Sequence, residues 1–203
     1  SKTTISAQVA ELKRQLGDER QKAETERQKY QTETSRLTKQ LASLGASPKG
    51  ADTNLAKVSG QLEKVLDAEI KQKSAEITAL GDRLVVRLFS DWLFEPATLI
   101  LRPSAQSKLR EVAKTLAKYP SYQLRVEGHT DNVPPVNMPF PDNLSLSGQR
   151  AINVLGFLQD NAKLPQKQIR ATGCADSQPL ATNATAEGRQ RNRRVEIILA
   201  LED

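Results

Sequence analysis

Apolar positions along the chain follow two rhythms. Near the start, Ile5, Val9, Leu12 and Leu16 are spaced 4-3-4, the seam of a short coiled coil. One register continues as Ala23, Tyr30, Leu37 and Leu44, while its partner positions become Glu19, Glu26, Glu33 and Gln40. Such a seam buries little apolar surface, so it predicts a solvated spacer helix or a weakly dimerising stalk. Gly45 to Gly50, with Pro48 between them, breaks the helix. Leu55, Val58, Leu62, Val65 and Leu66 start a second amphipathic helix, expected to run through Ile70 and Ile77 to Leu80. Gly81 punctuates its end.

The rhythm then shortens. Arg83 to Phe89 alternates and is rich in Val and Leu, which predicts a strand. Trp92, Leu93 and Phe94 are expected to form an apolar loop. Pro103 suits a helix N1 position ahead of Leu109, Val112, Ala113, Leu116 and Ala117, and that helix should end before Pro120. Gln123 to Glu127 predicts a second strand, closed by Gly128. A Pro-rich loop spans Asn132 to Asn143, and Ser145 is a plausible N-cap for a helix holding Ala151, Val154, Leu155 and Leu158. Pro165 follows that helix, Gln168 to Thr172 predicts a third strand, a short helical turn is expected near Glu187, and Arg193 to Leu201 predicts the last strand. The fold class is therefore α/β (α+β): βαβαβ(α)β, a mixed sheet with helices on one face, preceded by a helical or coiled-coil segment. Residues 1–80 are expected to be a helical linker or stalk, broken near 45–54, and residues 81–203 a packed domain.

Composition supports that division. Residues 1–80 hold one aromatic, Tyr30, and one proline, Pro48; the other seven aromatics and nine prolines all follow. Charge does not divide: 14 basic against 11 acidic residues come first, then 16 against 13, so the net +6 is spread evenly. A diffuse excess argues against nucleic acid as a partner. Apolar runs such as Leu84-Val85-Val86 fall far short of a membrane span, and even the longest, Ile197 to Leu201, is only five residues. One Cys argues against a disulfide framework and against any Cys-based zinc site, and one His against a multi-histidine metal centre. The chain starts at Ser1, so a signal peptide or membrane anchor could precede it.

Three blocks carry the chemistry. Gly128-His129-Thr130-Asp131 lies just past a strand end. Leu146-Ser147-Gly148-Gln149-Arg150-Ala151 follows on a helix. Asn183-Ala184-Thr185 then leads to Gly188-Arg189-Gln190-Arg191-Asn192-Arg193-Arg194-Val195-Glu196. Together, in this order, they resemble the OmpA-like peptidoglycan-binding domain over about residues 83–200. The long loop after Asp131-Asn132-Val133-Pro134 resembles the MotB-like, flagellar stator subtype; secretion proteins with an OmpA-like extension look similar.

The resemblance implies non-catalytic binding of peptidoglycan stem peptides carrying diaminopimelate. Asp131 would accept from the ammonium, and Arg150 would fork onto the carboxylate with two parallel bonds. Thr130, Asn143 and Arg194 complete the expected ligand-binding set, with no metal and no cofactor. It also implies a periplasmic location, an inner-membrane partner reached through a missing N-terminal segment, and a homodimer. The alternative is a structural component of a secretion system or an envelope lipoprotein.

Plainer readings stand beside these. Asp131 could cap a turn, and Arg150 could be a surface helix residue. His129 is read as structural or a pocket wall, without a second metal ligand nearby in sequence. Asn183 begins a glycosylation sequon but is read as loop-forming. Of Arg189, Arg191, Arg193 and Arg194, some would border a groove and others would pair with carboxylates such as Glu127 or Glu196. Cys174 is read as a buried hydrophobe. Wall hydrolysis would need paired acids, a metal or a Ser/Cys–His pair; Asp131, Asp142 and Asp176 are candidate carboxylates, but no spacing marks an acid and a base.

Overall fold

The structure, a computed structural model, describes residues 53–201 except 137 and 165–168, together with positions 14, 21, 32 and 36. Those four isolated positions are helical and exposed. The heptad seam, the break at Pro48, Pro165 and Gln168 lie outside the described residues. Contacts divide the chain into two units, residues 1–49 and residues 50–203.

The second unit begins with α1 (Thr53–Val65) and a short α2 (Asp67–Lys71). Strands β1 (Ala75–Leu80) and β2 (Arg83–Phe89) follow, then the helical turn α3 (Ser90–Leu93) and helix α4 (Pro103–Leu116). After β3 (Tyr122–His129) come α5 (Asn143–Asn161), β4 (Ile169–Gly173), α6 (Ala186–Asn192) and β5 (Arg194–Leu201). The sheet order is β1-β2-β5-β3-β4; β3 and β4 run parallel and the other neighbours antiparallel.

Register explains why one face carries the core. Leu84, Val86 and Leu88 of β2 oppose Leu199, Ile197 and Val195 of β5, which in turn oppose Leu124, Val126 and Gly128 of β3. Because strand side chains alternate, all of these share one face. Leu55, Val58 and Leu62 of α1, Leu109 and Val112 of α4, and Val154 and Leu158 of α5 join them in one buried cluster. The opposite face carries a charged ladder. Glu196 lies between Arg87 and Glu127, its Oε1 accepting from Arg87 Nε at 3.0 Å and from Arg194 Nε at 2.7 Å.

The mixed sheet with helices on one face agrees with the expected fold class, and several local expectations are corrected. The second N-terminal helix does not run to Leu80: Ala75–Leu80 is a strand pairing antiparallel with β2. The chain turns through Lys73, which takes a left-handed φ of 58°. Residues 53–80 therefore belong to the packed unit, and the observed division falls at Lys49/Gly50. Trp92 and Leu93 lie in a helical turn, and Leu93 and Phe94 are buried. Helix α5 is capped by Asp142, whose Oδ1 accepts from Ser145 N–H at 2.7 Å; Ser145 is the capped residue and not the cap. Pro103 does occupy the first turn of α4. No helix among the described residues is long and apolar enough to cross a membrane.

Candidate functional site

Two glycines bring α5 down onto the strand ends. A Cβ on Gly128 would lie 2.0 Å from the Ser147 carbonyl oxygen, and one on Gly173 would lie 2.8 Å from Gly148 N and Leu144 O. Only glycine permits this approach. Ser147, fully buried, then ties the helix to the β4 loop: its hydroxyl donates to Leu144 O and accepts from Ala175 N–H. Ala175 O in turn accepts from Thr130 N–H. The middle of α5, with Arg150, is thereby fixed against the loop carrying Asp131.

Arg150 is 8% exposed, and its guanidinium carbon lies 5.3 Å from the Phe94 ring centroid, within cation–π range. Its Nε is buried without a partner, and among the described residues no carboxylate pairs with it. Burial, and then the neighbouring charge of Arg193, push its pKa below the usual arginine range; Asp91 and Asp131 act the other way. A cavity of about 180 Å³ opens beside it, lined by Asp91, Phe94, Glu95 and Arg102 among others.

Asp131 is 6% exposed. Its Oδ2 accepts from Arg193 NH1 at 2.8 Å, and its Oδ1 from Val133 N–H at 3.0 Å. It thus caps its turn, as the plainer reading expected, and also faces a cation. Arg193 reaches Asp91 as well, at 3.3 Å. Burial disfavours the Arg193 charge, but bonds to Asp131 and the field of Asp91 outweigh it and raise its pKa. Two arginines and two aspartates therefore gather here, with Arg193 shared by both carboxylates and Arg150 left over.

The other expected site residues divide. Thr130 is buried at the same turn, its hydroxyl without a partner among the described residues. Asn143 donates from Nδ2 to the carbonyls of Asp131 and Val133, both at 3.1 Å, so it shapes the loop. Arg194 is not in this cluster. It lies on the charged sheet face opposite His129, its donors engaged by Glu196, Asn192 O and Gln178 O. Its neighbour Arg193 takes the place by Asp131. Asp91 and Phe94 carried no motif in the sequence.

Much of the third block is scaffold. Thr185 caps α6 by accepting from Gly188 N–H, and a Cβ on Gly188 would meet Thr182 O at 1.9 Å. Asn192, fully buried, accepts from Leu180 and Ala181 N–H and donates to Ala181 O and Asn183 Oδ1. Asn183 is thus the loop-forming residue the sequence suggested.

One cluster went unseen in the sequence. His129, Glu127 and Cys174 bring their ligating atoms within 4.8 Å of one another, and Cys174 is partly exposed, not the buried hydrophobe expected. His129 does have potential co-ligands. As a hydrolytic Cys–His pair the cluster is poorly set, because burial and then the Glu127 charge raise the Cys174 pKa, whereas a nucleophilic thiol needs it lowered.

Known proteins resemble this chain over the packed unit. Residues 93–193 match the OmpA family. The chain is 33% identical over 152 residues to Motility protein B of Bacillus subtilis (strain 168), covering 74% of this chain and 58% of that protein. It shares 37% identity with the cell wall anchor of the T6SS from Pseudomonas aeruginosa, with a TM-score of 0.63 over 71% of this chain and 99% of that one. A putative MotB-like protein from Desulfovibrio vulgaris superposes with a TM-score of 0.66 at 25% identity, over 74% of this chain and 96% of that one. The chain spans about 60% of the length of the first curated relatives it matches. With its three motif blocks folded around one loop–helix junction and these likenesses across the packed unit, the chain belongs to the OmpA family.

Proposed function

We propose that this domain binds peptidoglycan without catalysis and anchors a membrane complex to the cell wall. The observation that carries the reading is the buried Arg150 guanidinium, without an anionic partner among the described residues, beside the Asp131–Arg193 pair. An amino-acid head group such as that of diaminopimelate supplies the missing complement. Its carboxylate satisfies Arg150, and its ammonium competes with Arg193 for Asp131. Each charge-assisted bond contributes about 1.5–3 kcal/mol. Thr130 lines the same turn, and Asn143 holds the loop in shape. Likeness to a cell wall anchor and to motility protein B supports an anchoring role in the periplasm. An upstream membrane segment and self-association through residues 1–49 would complete such an anchor.

A motility protein and a secretion-system anchor are both among its relatives, which supports a host complex of that general kind. Co-sedimentation with purified peptidoglycan sacculi tests the binding. The full chain should pellet with them, and Asp131→Ala or Arg150→Ala should stay in the supernatant while still melting cooperatively. Unchanged pelleting of both variants removes the site assignment, and release of soluble muropeptides would replace anchor with hydrolase.

A further inference from the structure

Strand pairing places three metal-ligand types side by side on the charged sheet face. Glu127 and His129 are two apart on β3 and so point the same way. β4 runs parallel with Gly128 opposite Gly173, and Cys174 N–H donates to Gly128 O at 2.9 Å. Cys174, the next residue, thus comes alongside His129. His129 is 1% exposed, yet neither ring nitrogen has a hydrogen-bond partner among the described residues. A buried imidazole with both nitrogens unmatched by hydrogen bonds has lone-pair and donor capacity left for a further group. Its Nε2 lies 3.7 Å from Glu127 Oε2, beyond a hydrogen bond but close to the ~3.3–3.6 Å edge of a tetrahedron with bonds of about 2.0–2.3 Å.

We propose that Glu127, His129 and Cys174 form a binding site for a zinc-class divalent cation. The thiolate and imidazole select a borderline-soft ion over magnesium or calcium. Three protein ligands leave a fourth position for water. Glu127 divides its oxygens suitably: Oε1 is held by Arg125 Nε at 2.8 Å, which leaves Oε2 for the metal and orients it. Thiolate and carboxylate together carry −2 against the ion's +2, and the Cys174 proton leaves to solvent as the sulfur–metal bond forms. Arg194, the register partner of His129, has its donors engaged by Glu196, Asn192 O and Gln178 O. Closing the longest separation, 4.8 Å, requires a movement of about 1 Å at the half-exposed Cys174, which sits at the strand end where the chain enters a loop. The site precedes Thr130 and Asp131 directly, so a bound ion would stiffen the strand end that carries the anionic side of the ligand cluster.

The chain has one Cys and one His, which makes the test clean. Full-length protein stripped with a chelator is titrated with zinc chloride by calorimetry, while a thiol-reactive disulfide reagent reports on Cys174. One zinc should bind per chain, slow the thiol reaction at least ~10-fold and raise Tm; magnesium chloride should do none of these. Cys174→Ser, the variant least able to disturb the core, should weaken zinc at least ~100-fold, more than the 10- to 100-fold typical of an outer-shell change. Glu127→Gln should weaken it as well. Absence of stoichiometric zinc binding, or binding that survives Cys174→Ser unchanged, overturns the proposal. Neither outcome bears on the Asp131–Arg150 cluster, which sacculus binding tests separately.

Discussion

Replacing Gly128 with alanine places a methyl carbon 2.0 Å from the backbone oxygen of Ser147, where ordinary contact begins near 3.4 Å. The shortfall of about 1.4 Å falls on backbone atoms of α5, which no rotamer change relieves. Helix and strand must separate, or β3 must bend at its last turn. Overpacking of this kind costs about 1–3 kcal/mol and occasionally more, and a backbone clash belongs at the upper end. For a unit of this size each kcal/mol lowers Tm by about 2–4 °C, so Gly128→Ala should melt ~6–12 °C below the parent. Gly156 on the same helix supplies the control. A Cβ there meets nothing within 4 Å, and replacing a helix-interior glycine by alanine stabilises by about 0.5–1 kcal/mol. Urea denaturation followed by far-UV circular dichroism reads both changes. The close approach of α5 to β3 is refuted if Gly128→Ala is as stable as Gly156→Ala. Because that approach sets Arg150 beside Asp131, the Gly128 variant should also lose sacculus binding at temperatures where it remains folded.

Three further perturbations probe the surrounding scaffold. Asn192→Ala removes four hydrogen bonds from a fully buried side chain and should cost about 2–6 kcal/mol by denaturant titration; a loss under 1 kcal/mol would mean the 180–183 loop holds itself. Asn143→Ala removes two bonds to the loop carbonyls and should cost about 1–2 kcal/mol and weaken ligand binding, with faster amide exchange at Val133; unaltered exchange there would contradict its positioning role. The Asp142 carboxyl is held below its ordinary pKa by its bonds to Ser145, so its stabilisation is present above the unfolded value and lost as pH falls through the folded one. The Tm gap between parent and Asp142→Ala should therefore be wide at neutral pH and close in acid, and a gap that widens in acid would reverse the sign.

Much of the sheet was legible because its strands are short runs rich in Val, Ile and Leu, with clear alternation in β3, and Pro103 marked a helix start by its fixed φ. The errors have physical causes. Ile70 and Ile77 are seven apart, which suits a continuing helix as well as a helix followed by a strand. The turn between them uses Lys73 in a left-handed conformation, without the glycine or proline that would mark it. The spacing of Leu55, Val58, Leu62 and Leu66 marks an amphipathic helix, but amphipathicity does not name the surface it covers. The choice between Arg193 and Arg194 turned on where β5 begins, because adjacent strand residues face opposite ways and boundaries are the least certain feature of a sequence. Asp131 and Arg150 could be singled out by their motif, whereas Asp91 and Phe94 reach them only through tertiary packing. Cys174 is 45 residues from His129, and only the parallel pairing of β3 with β4 joins them.

The proposed ligand chemistry can be tested by removing the carboxylate from the ligand and the guanidinium from the protein in turn. Calorimetry with a soluble stem peptide containing diaminopimelate, and with the same peptide containing lysine, isolates the carboxylate. If Arg150 forks onto that group, the lysine peptide should bind about 10- to 100-fold more weakly to the parent chain. Arg150→Ala should bind both peptides at that same weak level, because the two losses remove one interaction. Equal affinity of the parent chain for the two peptides, or losses that simply add in Arg150→Ala, would contradict the role assigned to Arg150.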